Sequence, residues 1–427
     1  MSENKLKKCY QYFWKVPFLV PYWNWKELFE ILKSSLKGRL VEGKSIDLFV
    51  KEFCDLIGVK YGIVTNLGRS AIELILRAME IKEGDEVILP SFCCKGILMP
   101  VLNAGCRPVM VDIDRNFNIS VESCIKKITL KTKAIIVPHL SGKAAEIDKI
   151  KEAVKDRNII IIDDACQATG GRKEGKYLGT LGDVGIFSFG MGKNMMACSG
   201  GMVVTDSEKI YQKMCGLPLE KQKLTDILKK LYYCFFRMFL RKYTFPFYLA
   251  FDRLVSLSGI KSSCDRGSYK MLKMSSLDAA ILRIQLKKLE DIIARRRRNA
   301  EILYKELSDV EEILLPEWDE DHVFTKFIIT LKKTKVSGTI GPSREVIELA
   351  RFLTQKSVET EGTYIPLHLR EGFEQYADEK LTVTEDLYLN SFTLPVQPKL
   401  SEKNMFYIGE VIKEYFEKNR EYNARKR

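Results

Sequence analysis

The sequence predicts an α/β protein: a large, mainly parallel sheet with helices on both faces, followed by a smaller C-terminal α/β domain. Three observations carry this. Short apolar runs of strand length recur from about Val64 onward, at Glu86–Leu89, Pro108–Asp112, Ala134–Val137, Ile159–Ile162, Gly185–Phe189 and Gly201–Thr205. Between them lie stretches with helical spacing, such as Ser70–Ile81 and Ala145–Lys155. Parallel strands need long crossovers, so alternation of this kind builds a parallel sheet covered by helices. Ligands bind beyond the carboxyl ends of such strands, and residues that carry chemistry are expected just after them.

A chain of 427 residues with 46% hydrophobic content is long enough for two cores. The division expected is a large domain at 1–290 and a small domain at 291–427. The large domain includes an N-terminal segment, 1–55, and an insertion, 216–268, that breaks the alternation. The N-terminal segment crowds Trp14, Phe18, Tyr22, Trp23 and Trp25 together. Ser276 to Leu307 reads as one long amphipathic helix, with Leu282, Leu286, Leu289 and Ile293 on a core-facing stripe.

The net charge is +13, scattered except for the run Arg295–Arg298 and the C-terminal tail. A solvated surface accounts for such clusters; anionic substrates or an anionic membrane surface are the sharper readings. No nucleic-acid motif accompanies the bases, so nucleic acid is not expected as a partner. None of the 11 cysteines forms a C-x-x-C pair, and His139, His322 and His368 lack metal-ligand spacing. No metal is expected. The N-terminus lacks the apolar run of a secretory signal, which points to reduced thiols in the cytoplasm.

Within the insertion, aromatics and bases alternate between Leu228 and Leu257, with Pro246 expected to split the segment. No apolar stretch reaches the roughly 20 residues of a membrane span. The segment reads as helices packed on the large domain or at a subunit interface. The alternative is peripheral contact with the inner face of a membrane, since aromatics flanked by bases suit anionic lipid.

Three segments carry chemistry. Ile159-Ile-Ile-Ile-Asp-Asp164 is a buried strand ending in two carboxylates, which are costly there without a cationic partner. A helix cap is the plain reading; a pyridinium nitrogen is the sharper one. Gly185-Ile-Phe-Ser-Phe-Gly-Met-Gly-Lys193 sets a lysine in a glycine-rich turn after an apolar strand, where a partly desolvated amine can attack an aldehyde. Thr65-Asn-Leu-Gly-Arg-Ser70 lies at a strand-to-helix turn. Gly68 lets the backbone approach an anion there, and Arg69 offers a fork suited to phosphate.

The order phosphate turn, carboxylate, lysine resembles that of the DegT/DnrJ/StrS sugar aminotransferases. Other segments resemble the same family. They are Gly84-Asp-Glu-Val-Ile-Leu-Pro90, Val137-Pro-His-Leu-Ser-Gly142, Asp163-Asp-Ala-Cys-Gln167, Phe187-Ser-Phe-x-x-x-Lys193, the Ala279-Ala280…Gln285-Leu286 helix, and Pro366-Leu-His368. The resemblance covers about 20–215 and 274–400. It implies a fold-type-I enzyme dependent on pyridoxal 5'-phosphate, with Lys193 bonded to the cofactor aldehyde and Asp164 at the pyridine nitrogen. It further implies Gln167 at the phenolic oxygen and Gly68, Arg69 and Ser188 at the phosphate. His368 lies either near the sugar or packed in a loop. The substrates implied are an amino-acid donor, glutamate, and a nucleotide-linked keto sugar for cell-surface glycan synthesis, handled by a homodimer.

The sequence departs from the family at three places. The phosphate turn is Leu67-Gly-Arg69 rather than S-G-T. Cys94 stands where an aromatic usually stacks on the ring, with Phe92 a nearby substitute. Met271 replaces the asparagine of a partner-facing N-x-R motif. Two rivals follow: a sugar dehydratase of the same family, in which histidine replaces the lysine, and a non-catalytic regulator or scaffold.

Overall fold

The computed structural model describes residues 16–239, 269–332 and 341–425. Seven strands form the large sheet: β1 Tyr61–Thr65, β2 Glu86–Pro90, β3 Arg107–Val111, β4 Thr132–Pro138, β5 Ile160–Asp164, β6 Val184–Ser188 and β7 Gly201–Thr205. Their order is β1-β7-β6-β5-β4-β2-β3. β7 runs antiparallel to both neighbours and every other pair is parallel. The expected strands fall within two residues of these bounds.

The isoleucine strand shows why the sheet is buried on both sides. Ile161 joins a core with Phe53 and Phe187, while Ile162 joins a second core with Ile72 and Val87. Alternate side chains of a strand face opposite ways, so a continuous apolar run serves two layers. Helices Ser45–Ile57 and Ser276–Leu286 cover the first face, and Gly68–Ala78 lies on the second.

A second, antiparallel sheet has four strands: β8 Ile313–Leu314, β9 Phe327–Leu331, β10 Glu361–Gly362 and β11 Ser391–Leu394, in the order β8-β9-β11-β10. Its core draws on helices Leu289–Leu307, Arg344–Gln355 and Glu402–Arg425. The chain's earliest described residues join it. Val16 bridges Val358, and the Phe18 N–H donates to Glu359 Oε2 at 2.8 Å.

Two expectations are corrected. The long helix from Ser276 is two helices, Ser276–Leu286 and Leu289–Leu307. The break falls at Lys287 and Lys288, where Lys288 Nζ reaches the wholly buried Glu27, a residue also held by Gln285. The four arginines are not a solvated cluster. Arg296 is 1% exposed, Arg297 donates to the His322 carbonyl, Arg295 pairs with Asp291 and Arg298 with Glu402.

The insertion contributes helix Leu224–Phe239, with Ile227 and Cys234 buried. Pro246 and the aromatics beyond Phe239 lie outside the described residues. Among the described residues no helix is long and apolar enough to cross a membrane.

Candidate active site

β4, β5 and β6 end side by side, with Pro138 opposite Asp164 and Asp164 opposite Ile186. The two aspartates that close β5 face different surroundings. Asp163 is wholly enclosed: its Oδ2 accepts from the Gly179 and Leu181 N–H groups at 2.9 and 2.8 Å. His139 Nε2 stands 2.6 Å from its Oδ1. The Ala145 N–H donates to His139 Nδ1, so the ring proton sits on Nε2 and points at the carboxylate. Asp163 is thereby committed to the protein's own donors.

Asp164 faces the other way. Its Oδ1 accepts from the Cys166 N–H at 2.9 Å. Burial pushes its carboxyl above the ordinary range, while the Cys166 hydrogen bonds and the charge of Lys193 pull it down. Lys193 comes five residues after β6, in a turn that Gly192 makes with φ +83°. It is half-buried and opens on a cavity of about 270 Å³. Gln167, Thr325, Lys326, Tyr364 and Leu19 line the same cavity. Gln167 is fixed at both ends of its amide, accepting from the Ser141 N–H at 3.2 Å and donating to the Tyr364 hydroxyl at 3.3 Å.

Gly68, Ser188 and Cys166 converge. A Cβ on Gly68 would stand 2.9 Å from Ser188 Cβ and 3.3 Å from Cys166 Sγ, so only glycine permits this approach without a shift. Gly68 opens helix Gly68–Ala78, and the preceding Leu67 has no side-chain oxygen to cap the first turn. An uncapped helix start favours an anion. Arg69 lies over the Tyr269 ring, 5.3 Å from its centroid, and approaches Gly96 beside Cys94.

These residues fit pyridoxal phosphate on the chemistry of the donor set. The glycine contact and bare helix start suit the phosphate, Asp164 the pyridine nitrogen, Gln167 the phenolic oxygen and Lys193 the aldehyde. The other residues named from the sequence are placed differently. Phe92 is 1% exposed and packs against Phe117 and Tyr364. Cys94 caps helix Lys95–Asn103, its Sγ accepting from the Gly96 N–H. Met271 lies in the segment laced to Asn66, whose amide exchanges bonds with Lys270 and Leu272. His368 packs on Ser91, its Nδ1 2.6 Å from the hydroxyl, with Glu385 at 3.5 Å from Nε2. Burial lowers its pKa.

Residues 24–413 match the DegT/DnrJ/EryC1/StrS aminotransferase family. The chain belongs to that family. It is a pyridoxal-phosphate-dependent aminotransferase with the fold-type-I architecture. A GDP-perosamine synthase of Escherichia coli O157:H7 is 29% identical over 382 residues, 88% of this chain and 91% of the relative. A dTDP-3-amino-3,6-dideoxy-alpha-D-galactopyranose transaminase of Aneurinibacillus thermoaerophilus is 28% identical, covering 91% and 95% of the two chains. The E. coli GDP-4-keto-6-deoxy-D-mannose-3-dehydratase with bound hydrated PLP shares the fold, with TM-score 0.73, 23% identity and coverage of 93% and 99%.

Several residues of the aminotransferase site carry no motif. Tyr364, Thr325, Lys326 and Asn194 are among them. The Thr325 hydroxyl lies 2.5 Å from the Gln167 carbonyl and 2.9 Å from Asn194 Oδ1, tying both sides of the lysine turn together. Arg296 stands behind them, donating to the Thr325 carbonyl and to Gln397 Oε1. Its signal was periodicity: Leu289, Ile293, Arg296, Ala300, Leu303 and Leu307 fall on one buried stripe. A larger groove of about 740 Å³ between helix Arg344–Gln355 and β10 is lined by none of these groups.

Proposed function

We propose that this aminotransferase moves an amino group from glutamate to the keto carbon of a nucleotide-linked sugar, with Lys193 and Asp164 as its catalytic residues. The observation that carries the reading is the junction of Asp164, Gln167 and Lys193 at the ends of β5 and β6. Two relatives named for nucleotide amino sugars support the substrate class. Glycan synthesis at the cell surface is the destination such a product suits.

The cofactor supplies an electron sink for the carbon that loses its proton. Asp164 keeps the ring nitrogen protonated, a role suited to a buried carboxylate that is itself held by the Cys166 N–H. Lys193 would hold the cofactor's aldehyde carbon, and its amine would carry the proton between the substrate carbon and the cofactor. Gly68, Arg69 and Ser188 hold the phosphate. The Tyr364 ring, bonded to Gln167, supplies the aromatic wall that Cys94 does not, with Phe92 behind it. Lysine rather than histidine at 193 favours transamination over dehydration.

We place the enzyme in the cytoplasm as a homodimer with sites near the subunit boundary. Borohydride reduction followed by peptide mass mapping tests the central assignment. The adduct is expected on Lys193, absent in Lys193→Ala, and visible absorbance should bleach when glutamate is added. An adduct on another lysine, or no bleaching with any amino acid, overturns it.

A further inference from the structure

Lys326 is a cation of the site for which cofactor binding has no use. It immediately precedes β9, and the alternation of that strand decides where it points. Phe327, Ile329 and Leu331 enter the small domain's own core, while Ile328 packs with Phe92 and Leu140 on the opposite face. Lys326 is in step with Ile328, so it projects toward the lysine cavity and lines it. Among the described residues of that lining, Lys193 and Lys326 are the two cations. Lys193 is committed to the cofactor aldehyde, which leaves Lys326 to meet a substrate.

The ammonium has two partners of different kinds. Nζ lies 4.7 Å from the centre of the Tyr364 ring and 2.9 Å from Glu361 Oε2. The ring is anchored, because its hydroxyl accepts from the Gln167 amide at 3.3 Å. The carboxylate is free to swing. Glu361 belongs to β10, a two-residue strand at the edge of its sheet, and its side chain is 50% exposed against 17% for Lys326. An ion pair with one partner in solvent costs little to open. The other acid of the cavity, Glu359, is tied to the Phe18 N–H.

From this geometry we infer that Lys326 binds a carboxylate of the amino donor, and that Glu361 is a counter-ion which the donor displaces. The inference rests on the amino-transfer reading. Such an enzyme receives two substrates in turn at one place, here an acid and the uncharged keto end of a sugar. A permanently unpaired cation would suit the acid but stand as an uncompensated charge against the sugar. A cation with a movable partner suits both. With the acid present, Lys326 keeps its seat on the Tyr364 ring and exchanges Glu361 for the donor. With the sugar present, Glu361 returns. A cavity of about 270 Å³ is below the range that encloses a drug-sized ligand, so the phosphates of a nucleotide-linked sugar stay outside it and do not compete for Lys326.

The test titrates the cofactor-loaded enzyme with glutamate and reads the concentration that half-bleaches its visible absorbance. Lys326→Met should raise that concentration about tenfold or more, the loss of one charge-assisted bond. Glu361→Gln removes the competitor and should lower it about two- to fivefold. The opposite signs separate recognition from packing, since a damaged wall weakens donor binding in both variants. A borohydride adduct on Lys193 shows that each variant keeps its fold and cofactor site. Alanine at high concentration identifies the carboxylate: a loss in Lys326→Met with both donors assigns the α-carboxylate, and a loss with glutamate alone assigns the side-chain one. An unchanged value in Lys326→Met, or no decrease in Glu361→Gln, overturns the inference and leaves amino transfer in place. Should Lys326→Met lack the adduct, Glu361→Gln decides by the same criterion. Wild-type enzyme that no amino acid bleaches overturns the amino-transfer reading itself, and the inference with it.

Discussion

His139 and Asp163 form a closed pair: Nε2 and Oδ1 are 2.6 Å apart and neither side chain reaches solvent. The pair uses up one carboxylate of β5 in holding the protein together and leaves its neighbour for chemistry. Asp163→Asn should therefore injure folding. The amide would set a donor against the N–H groups of Gly179 and Leu181 or the ring of His139, at a cost of about 2–4 kcal/mol. Asp164→Asn should leave the denaturation midpoint nearly in place and slow amino transfer by about two orders of magnitude or more. Chemical denaturation and single-turnover kinetics on both variants separate the two. If soluble, folded Asp163→Asn is the slower enzyme, the roles are reversed.

Gly68→Ala places a methyl group 2.9 Å from Ser188 Cβ. Either Ser188 moves or the helix start withdraws, and both spoil a phosphate cup. Cofactor affinity should drop about tenfold or more, since one displaced charge-assisted bond is worth about 1.5–3 kcal/mol. Arg69→Ala should act in the same direction through the lost fork. Absorbance titration of the cofactor-free protein measures both; unchanged affinity in the two variants would move the phosphate elsewhere.

Arg296 makes no ion pair among the described residues, and burial alone pulls its guanidinium down to about 9. Arg296→Met removes two charge-assisted bonds, about 1.5–3 kcal/mol each, but also relieves a desolvation cost of several kcal/mol. These offset, so the melting temperature should shift little. The Thr325 carbonyl, once released, lets the hydroxyl drift from Gln167 and Asn194, and kcat should fall by about tenfold, a loss of the size that small misplacements cause. Arg296→Lys keeps the charge without the fork and should not restore it. A normal kcat in Arg296→Met would reduce the arginine to packing.

His322 supplies a pH dependence. Burial holds its imidazole at about 3, against an ordinary 6.5. Between these values the unfolded chain takes up a proton that the native protein refuses. Stability should therefore decline as pH falls from 6.5 toward 3, by up to ~1.4 kcal/mol per pH unit from this residue. His322→Gln retains a donor for the Ser141 carbonyl and cannot titrate. Its unfolding free energy from urea titrations should change less between pH 7 and pH 5 than that of wild type by about 2 kcal/mol. Parallel pH curves for the two proteins would show that His322 is not the titrating group.

The sheet was legible because its strands are buried on both faces, and four consecutive isoleucines allow little else. Lys193, Asp164 and Gln167 were legible because they follow strands in a fixed order. The break at Lys288 was hidden, since its cause is Glu27, some 260 positions away and silent in any local window. Arg296 was hidden by its neighbours: four arginines in a row look alike until the buried stripe selects one. Tyr364 and Thr325 reach the cavity from the second sheet's side of the chain, a juxtaposition that no spacing encodes.

The link between Phe18 and Glu359 spans 341 residues. One wall of the lysine cavity is therefore completed by two residues from remote parts of the chain. During synthesis the amino-terminal segment must wait, unpartnered, for nearly the whole polypeptide to leave the ribosome before it can seal the pocket. Contacts between remote parts of a chain form late because closing a long loop costs entropy in advance. Capture of the vitamin-derived group should then belong to the finished protein rather than to the nascent one.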